Sequence, residues 1–239
     1  AQTVGSAIPD LPVAEPAAIV PPPSDVTMVI PVKDRTDGLA RLLAALEIDV
    51  SGVSAPAHPA HVDLEPVAAR PSAGLRVIVV DDGSTDPAAV RAVAERAGAA
   101  VLRHPAPRGP AAARNAGLAA ATTPLVAFLD SDVVPQPGWL LPLLARLADP
   151  AVGLVAPRIV ALPPVTGWLG RYEAVRSSLD LGPDPALIVP RSRVAYVPSA
   201  ALLVRRAAAD GGFDESMHVA EDVDLVLRLH AAGWRLRYE

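Results

Sequence analysis

Short apolar runs alternate with stretches of helical periodicity along most of this sequence. The first run, Val26–Val32, is followed over 36–46 by four leucines that recur at helical spacing. The same reasoning predicts strands over 75–80, 101–102, 125–129 and 152–160, and helices over 86–97, 110–121 and 138–147. Such alternation predicts an α/β fold with three layers (α/β/α) around a mainly parallel sheet with right-handed crossovers.

Two proline-rich stretches interrupt this pattern. Residues 1–25 carry six prolines, which favour an extended tail or linker, and residues 47–74 carry four, which favour an exposed insertion. We therefore predict one catalytic domain over 26–239. Beyond residue 162 we expect a helix over 168–181, a turn over 184–190, an extended segment over 194–204, a helix over 220–232 and a strand over 234–238. Because the sequence lacks an initiating Met and stops within a predicted strand, we expect it to be part of a longer protein.

Composition excludes several classes of protein. No apolar run reaches the roughly 18 to 20 residues that a membrane-spanning helix needs. The formal net charge of −5 provides no basic surface that could follow a nucleic-acid backbone. The chain has no cysteine, which excludes disulfides and thiolate metal sites, and we expect a cytosolic location.

Three acidic clusters lie where a parallel sheet would place a ligand. Asp81-Asp82 ends the second predicted strand, Asp130-Ser131-Asp132 follows the fourth, and Glu221-Asp222 opens the last predicted helix. Each cluster alone is equally well explained as a helix cap or a turn. Together they suggest a site for Mg²⁺ or Mn²⁺ with a nucleoside diphosphate, because these cations accept one or two carboxylates and complete their shell with water and phosphate oxygens.

Five motifs, in order along the chain, resemble those of family 2 glycosyltransferases, which have the GT-A fold. They are VTMVIPVKDR, VIVVDDGSTD, AAARNAG, PLVAFLDSDVVPQPGWL and GGFDESMHVAEDVDLVLRL, which together lie within residues 26–229. Within the family, the acidic last motif and the Pro-rich, Arg-rich setting resemble most the branch that acts in the mycofactocin system of actinobacteria.

The resemblance implies a nucleotide-sugar site formed by five residues. Pro31 and Asp34 would line the nucleotide pocket, and Asp82 would accept a hydrogen bond from the uracil ring. Arg114 would face the nucleotide side of the cleft, and Asp130 would contact the ribose or a metal-bound water. The implied donor is a UDP-sugar, most consistent with a hexose such as glucose.

The resemblance also implies a metal ligand and a base. Asp132 would bind the divalent metal, and Asp222, beside Glu221, would remove the acceptor proton in an inverting displacement. The alternative for Glu221-Asp222 is stabilisation of a helix N-terminus, and both roles are compatible. The implied acceptor is a small peptide-derived molecule or a glycan, and a part of the protein beyond residue 239 could add peripheral attachment to a membrane.

Four alternative functions fit these motifs to different degrees. A transferase of the same fold that builds cell-envelope polysaccharide or glycolipid would share all five motifs. A sugar nucleotidyltransferase would need a Gly-rich first loop, where this chain has Ile30-Pro31-Val32-Lys33-Asp34. A nucleotide-sugar-binding pseudoenzyme is disfavoured because all three acidic clusters are present. A dinucleotide-binding domain is disfavoured because no Gly-x-Gly-x-x-Gly follows an early strand.

Overall fold

The computed structural model describes residues 19–50, 75–162, 167–168, 177 and 179–239. Within them, eight strands form one sheet, and the bounds of five helices are defined. The strands are β1 Val26–Val32, β2 Arg76–Asp82, β3 Ala100–His104, β4 Leu125–Leu129, β5 Val152–Ala156, β6 Ala186–Leu187, β7 Ala201–Arg205 and β8 Arg235–Tyr238. The helices are α1 Thr36–Val50, α2 Pro87–Arg96, α3 Pro110–Ala120, α4 Leu140–Arg146 and, in the last motif, α5 Glu221–Ala231.

The sheet has a parallel half and a mixed half. Its strand order is β3-β2-β1-β4-β7-β5-β8-β6, and the first four strands are parallel to one another. β7 runs antiparallel to both β4 and β5, β8 is parallel to β5, and β6 is antiparallel to β8 at the edge. The predicted α/β class with a mainly parallel central sheet is thus confirmed. The acidic clusters of β2 and β4 belong to the parallel half.

The helices cover both faces of the sheet because strand side chains alternate between two apolar clusters. On one face α1, α2 and α4 pack against Met28 and Ile30 of β1. On the other face α3 and α5 pack against Val29 and its neighbours. At Gly117 of α3 an added Cβ would lie 2.2 Å from Cγ1 of Val29, so this helix can approach the sheet only with a glycine there.

Several predicted bounds require correction. α1 continues to Val50, so the first four residues of the predicted 47–74 insertion are helical; no proline interrupts the chain there until Pro56. Residues 51–74 and 1–18 lie outside the described part, and residues 23–25, predicted as tail, form a short 3-10 helix. The strand predicted over 152–160 ends at Ala156, because the next residue is a proline that cannot donate to the ladder.

The region after residue 162 differs most from expectation. The predicted turn over 184–190 contains β6, which pairs with β8, and the predicted extended segment over 194–204 forms strand only from Ala201. Of the helix predicted over 168–181, Trp168 is helical, residues 179–181 are not, and most of the remainder lies outside the described residues. Among the described residues, no helix combines the length and the apolar character needed to cross a membrane.

Candidate active site

A cavity of ≈ 1140 Å³ opens at the carboxyl ends of the parallel strands. Pro31 and Val32 of β1, Asp82 of β2 and Leu129 of β4 reach it from the sheet. It has the position at which open α/β sheets bind ligands, and it is large enough for a nucleotide sugar. Seven of the eight residues predicted for the site line it: Pro31, Asp82, Arg114, Asp130, Asp132, Glu221 and Asp222.

Asp82 is a buried carboxylate whose oxygens accept three hydrogen bonds. Oδ1 accepts from Nδ1 of His104 at 2.7 Å and from the N–H of Arg108 at 2.9 Å, and Oδ2 accepts from the N–H of Gly109 at 2.8 Å. Burial on its own would raise the pKa of Asp82, but these hydrogen bonds outweigh it and hold the pKa below its ordinary value. The carboxylate is therefore ionised and fixed in direction at neutral pH.

Asp81 points to the opposite side of the sheet, as successive strand residues must. It accepts hydrogen bonds from the side chain of Arg103 and, at 2.8 Å, from the N–H of Ser84. Asp81 is not among the cavity-lining residues that the structure describes. The two adjacent carboxylates thus differ: Asp82 faces the cavity, whereas Asp81 anchors the turn after β2.

Asp34 is the predicted site residue that the structure does not bring to the cavity wall. Its backbone has a φ of 55°, in the left-handed region, and its carboxylate accepts hydrogen bonds from the N–H of Thr85 at 2.7 Å and the hydroxyl of Thr85 at 2.8 Å. These hydrogen bonds, with the nearby Lys33, lower the pKa of Asp34. In this arrangement Asp34 ties the loop after β1 to the turn after β2, and its backbone N–H donates to Ser84.

Arg114 connects two of the acidic clusters. Its Nη2 donates to Oδ1 of Asp130 at 2.8 Å and its Nη1 donates to Oε1 of Glu221 at 2.9 Å. The guanidinium is 5.4 Å from the ring centroid of Phe213, within cation–π range. Arg114 is buried in α3, so it holds the end of β4 and the start of α5 in a fixed relation.

Asp130 and Asp132 have different electrostatic surroundings. Burial raises the pKa of Asp130 above its ordinary value, although Arg114 opposes the shift and the nearby carboxylates of Asp132 and Glu221 add to it. Asp132 is half-exposed and forms an ion pair with Arg35, whose side chain is also exposed. The ionised form is thus less favoured at Asp130 than at an ordinary aspartate.

The carboxylates at the cavity can accommodate a divalent cation only with help from a ligand. Among the residues that the structure describes, no group of three or more His, Cys, Asp or Glu side chains could hold a metal. Asp132 faces the cavity, and its exposed ion pair with Arg35 is of a kind that is weak and readily exchanged. One or two carboxylates suit Mg²⁺ or Mn²⁺ when the cation is bound together with substrate phosphates.

Asp222 lies in the first turn of α5. Its Oδ2 accepts a hydrogen bond from the N–H of Ser199 at 3.2 Å and its Oδ1 from the N–H of Val223 at 2.8 Å. Glu221, in contrast, is buried and bound to Arg114. Both acids interact favourably with the positive end of the α5 dipole, and of the two it is Asp222 that carries no ion pair within the described part of the chain.

A second set of polar contacts connects α3 to the loop before α5. Asn115 donates to the carbonyl of Phe213 and accepts from its N–H, both at 2.8 Å. Glu215 accepts from Asn115 at 3.0 Å and from Arg108 at 2.8 Å. These contacts were not expected from the sequence, because single polar residues far apart in the chain give no spacing signal. His104 was missed as well, because the strand predicted over 101–102 ends before it, whereas β3 continues to His104 beside the residue that ends β2.

Comparison with known families places the chain in one of them. The profile described as "Glycosyl transferase family 2" matches residues 64–212. The matched segment covers more than half of the chain and runs from before β2 to the loop before α5, so it contains Asp82, Arg114, Asp130 and Asp132.

Two relatives are similar over most of this chain. A protein of Mycobacterium tuberculosis H37Rv named "Pre-mycofactocin glycosyltransferase" is 50% identical over 218 residues, which cover 90% of this chain and 41% of the relative. The "Succinoglycan biosynthesis protein ExoU" of Rhizobium meliloti is 32% identical over 231 residues, covering 90% of this chain and 59% of the relative. The chain thus spans about two fifths of the length of the mycobacterial relative.

Solved structures share the fold. S. aureus TarS 1-349 in complex with UDP superposes with a TM-score of 0.64 at 17% identity, covering 90% of this chain and 57% of that one. The mannosyltransferase PcManGT from Pyrobaculum calidifontis, in complex with GDP-Man and Mn²⁺, gives a TM-score of 0.59 at 23% identity, covering 95% and 60%. At these identities the likeness establishes the fold, and the expected GT-A architecture is confirmed.

Proposed function

The chain belongs to glycosyltransferase family 2, and from that premise we propose that it transfers a hexose from a UDP-sugar to an acceptor hydroxyl, with a divalent metal and with inversion at the anomeric carbon. The observation that carries the proposal is the shared cavity. Carboxylates from the ends of β2 and β4 and from the first turn of α5 line one space of ≈ 1140 Å³.

In the proposed reaction Asp222 acts as the base. The acceptor oxygen attacks the anomeric carbon from the face opposite the diphosphate, the new carbon–oxygen bond forms as the bond to the diphosphate oxygen breaks, and the acceptor proton passes to the Asp222 carboxylate. Asp222 suits this role because its hydrogen bonds come from backbone N–H groups, which hold it in place without neutralising its charge. Glu221 lacks that freedom, since it is bound to Arg114.

The donor would be held from two sides. Asp82 would accept a hydrogen bond from the uracil ring at the end of β2, Asp132 would bind the metal, and Asp130 would contact the ribose or a metal-bound water. When bound, Mn²⁺ or Mg²⁺ supplies positive charge that stabilises the departing diphosphate. Arg114 would keep Asp130 oriented on the diphosphate side, because its other guanidinium nitrogen is fixed by Glu221.

For the acceptor, we propose the peptide-derived redox cofactor of the mycofactocin system, and glucose as the sugar. The support is the 50% identity to a protein named for glycosylation of pre-mycofactocin over 90% of this chain.

A second candidate is synthesis of a cell-envelope polysaccharide. It is favoured by the 32% identity to a relative named for succinoglycan biosynthesis. On this proposal both candidates would take a UDP-sugar, and the acceptor that enters the cavity would distinguish them.

A thermal-shift screen tests the proposed donor. UDP-glucose, UDP-GlcNAc, GDP-mannose and CDP-glucose are added with and without Mn²⁺, since a ligand that binds the native state raises Tm by mass action. We expect UDP-glucose with Mn²⁺ to raise Tm most, and the Asp132→Ala variant to lose the Mn²⁺-dependent part. No shift with any UDP-sugar, or an equal shift with GDP-mannose, would contradict the proposal.

A further inference from the structure

The last residues of β2 and β3 form a buried acid–base pair beside the cavity. Asp82 and His104 are directly opposite each other in the parallel ladder, and their side chains are 8% and 10% exposed. Only Asp82 of the two is among the cavity-lining residues that the structure describes. His104 therefore lies behind Asp82 and can influence the cavity by contacting that carboxylate.

The tautomer of His104 follows from the charge of Asp82. A carboxylate whose pKa lies below its ordinary value has only acceptors at neutral pH, so the hydrogen in the 2.7 Å contact must be on Nδ1 of His104. The imidazole thus acts as a donor to Oδ1.

The donors are distributed unequally over the two oxygens of Asp82. Oδ1 accepts from His104 and from the N–H of Arg108, whereas Oδ2 accepts from the N–H of Gly109. A carboxylate has about four acceptor positions, two on each oxygen. Three are filled, so the one that remains for a ligand is on Oδ2.

The segment that supplies these donors is held close to the turn after β2. At Gly83, whose φ is 74°, an added Cβ would lie 2.6 Å from the backbone nitrogen of Pro107 and 2.9 Å from the carbonyl carbon of Ala106. The turn and the 104–109 segment are thus packed backbone to backbone, which limits how far the donors of Asp82 can move.

A single open acceptor position that faces ring atom N3 discriminates between pyrimidines. Uracil presents a ring N–H at N3, which can donate to it, whereas cytosine presents a bare N3 lone pair, which the carboxylate repels. If the His104 donor were absent, Oδ1 would gain an open position that can accept from the exocyclic amino group of cytosine, and one of the contacts that offset the effect of burial on the pKa of Asp82 would be lost.

We infer that His104 is a positioning residue that fixes the Asp82 carboxylate and so determines the preference for uracil over cytosine in the donor. The inference rests on the proposed function, because it requires a nucleotide base at Asp82. It deepens that function by assigning base selection to a histidine that does not touch the donor.

Two matched variants test the inference. The amide nitrogen of His104→Asn can occupy the position of Nδ1, whereas that of His104→Gln reaches the position of Nε2. Dissociation constants for UDP and CDP are measured by calorimetry at one Mn²⁺ concentration. We expect the Asn variant to keep the wild-type UDP/CDP preference within about twofold, and the Gln variant to lose about tenfold of it, since hydrogen bonds to charged groups are the strong ones.

Equal preference in the two variants would overturn the inference, as would a loss of UDP and CDP affinity by the same factor. A nitrogen-15 spectrum of the wild-type imidazole gives a test that needs no variant, because a proton on Nε2 instead of Nδ1 would also overturn it. The Asp82→Asn variant separates this inference from its premise. If that variant binds UDP as the wild type does, the proposed donor site fails; if it loses UDP affinity but His104→Gln keeps the wild-type UDP/CDP preference, only the role of His104 fails.

Discussion

Asp130 and Asp132 are two residues apart and each is paired with an arginine, but the surroundings of the two pairs are opposite. The side chains of Arg114 and Asp130 are 4% and 33% exposed, and those of Arg35 and Asp132 are 63% and 51% exposed. The buried arginine has a second carboxylate partner in Glu221, whereas the exposed arginine, within the described part of the chain, has an ion pair with Asp132 alone. The difference indicates that one pair belongs to the scaffold and the other can be exchanged for a ligand.

The largest effect should come from removing the buried arginine. Arg114→Leu leaves Asp130 and Glu221 close together without their shared cation, and breaking a buried ion pair in this way costs about 3–5 kcal/mol. Urea unfolding followed by circular dichroism measures the free energy of unfolding. Arg35→Leu is the matched control, because an exposed pair contributes about 0–1 kcal/mol. Equal losses in the two variants would show that the buried pair has no special structural role.

Removing the exchangeable carboxylate should change binding and leave stability unchanged. We expect Asp132→Asn to weaken the Mn²⁺-dependent affinity for UDP by at least about tenfold, because lost support of a metal costs that much even outside its direct ligands. Asp37→Asn serves as the control, since Asp37 is an exposed carboxylate in α1 that does not line the cavity. Calorimetric titration gives both affinities. A wild-type affinity in Asp132→Asn would exclude this residue as the metal ligand.

A smaller effect should follow from freeing Asp132 of its own arginine. Arg35→Leu is expected to strengthen the binding of Mn²⁺ in the presence of UDP by up to about fivefold, the range that corresponds to an exposed ion pair. The gain should shrink as salt is raised, because screening already weakens this pair in the wild type. Weaker Mn²⁺ binding in Arg35→Leu, or a gain independent of salt, would contradict the exchangeable character of the pair.

The smallest expected effect is a difference in pH dependence between two carboxylates at the cavity. Asp82 has a lowered pKa, so its stabilising contribution is present above the ordinary aspartate pKa of about 4 and is lost as pH falls through the lowered pKa. Asp130 has a raised pKa, so its contribution is present below about pH 4 and is lost as pH rises through the raised pKa.

Unfolding free energies of the wild type and of Asp82→Asn and Asp130→Asn, measured between pH 3 and 7, test these signs. The difference between wild type and variant should grow with pH for Asp82 and shrink with pH for Asp130. The same slope in both cases would contradict the opposite shifts.

The parallel half of the sheet could be predicted from sequence, and the mixed half could not. β1 and β4 begin and end at the predicted residues, because each is a largely apolar, mostly buried run bounded by polar or proline residues. β6 lies in the segment predicted as a turn, since the four residues between Pro185 and Pro190 are too short a run to predict a strand, and two of them form one only through their pairing with β8. The antiparallel insertion of β7 between β4 and β5 likewise depends on long-range pairing.

The site shows the same division. The acidic clusters were visible because they follow strands or open a helix, and seven of the eight predicted residues line one cavity. Asp34 was predicted to line it as well, but its carboxylate is bound to Thr85. The partners that fix the acids, such as His104 and Arg35, could not be assigned, because nothing in their local sequence specifies which carboxylate they contact.

The most direct test of the proposed function is the Asp222→Asn variant. Turnover is measured as the UDP that is produced from UDP-glucose in the presence of Mn²⁺, whether the sugar passes to an acceptor or to water. If Asp222 is the base, the variant should bind UDP with wild-type affinity. It should produce UDP from UDP-glucose at least about a hundredfold more slowly, the usual contribution of a general base. UDP release at the wild-type rate, with affinity unchanged, would contradict the assignment of the base and with it the proposed mechanism.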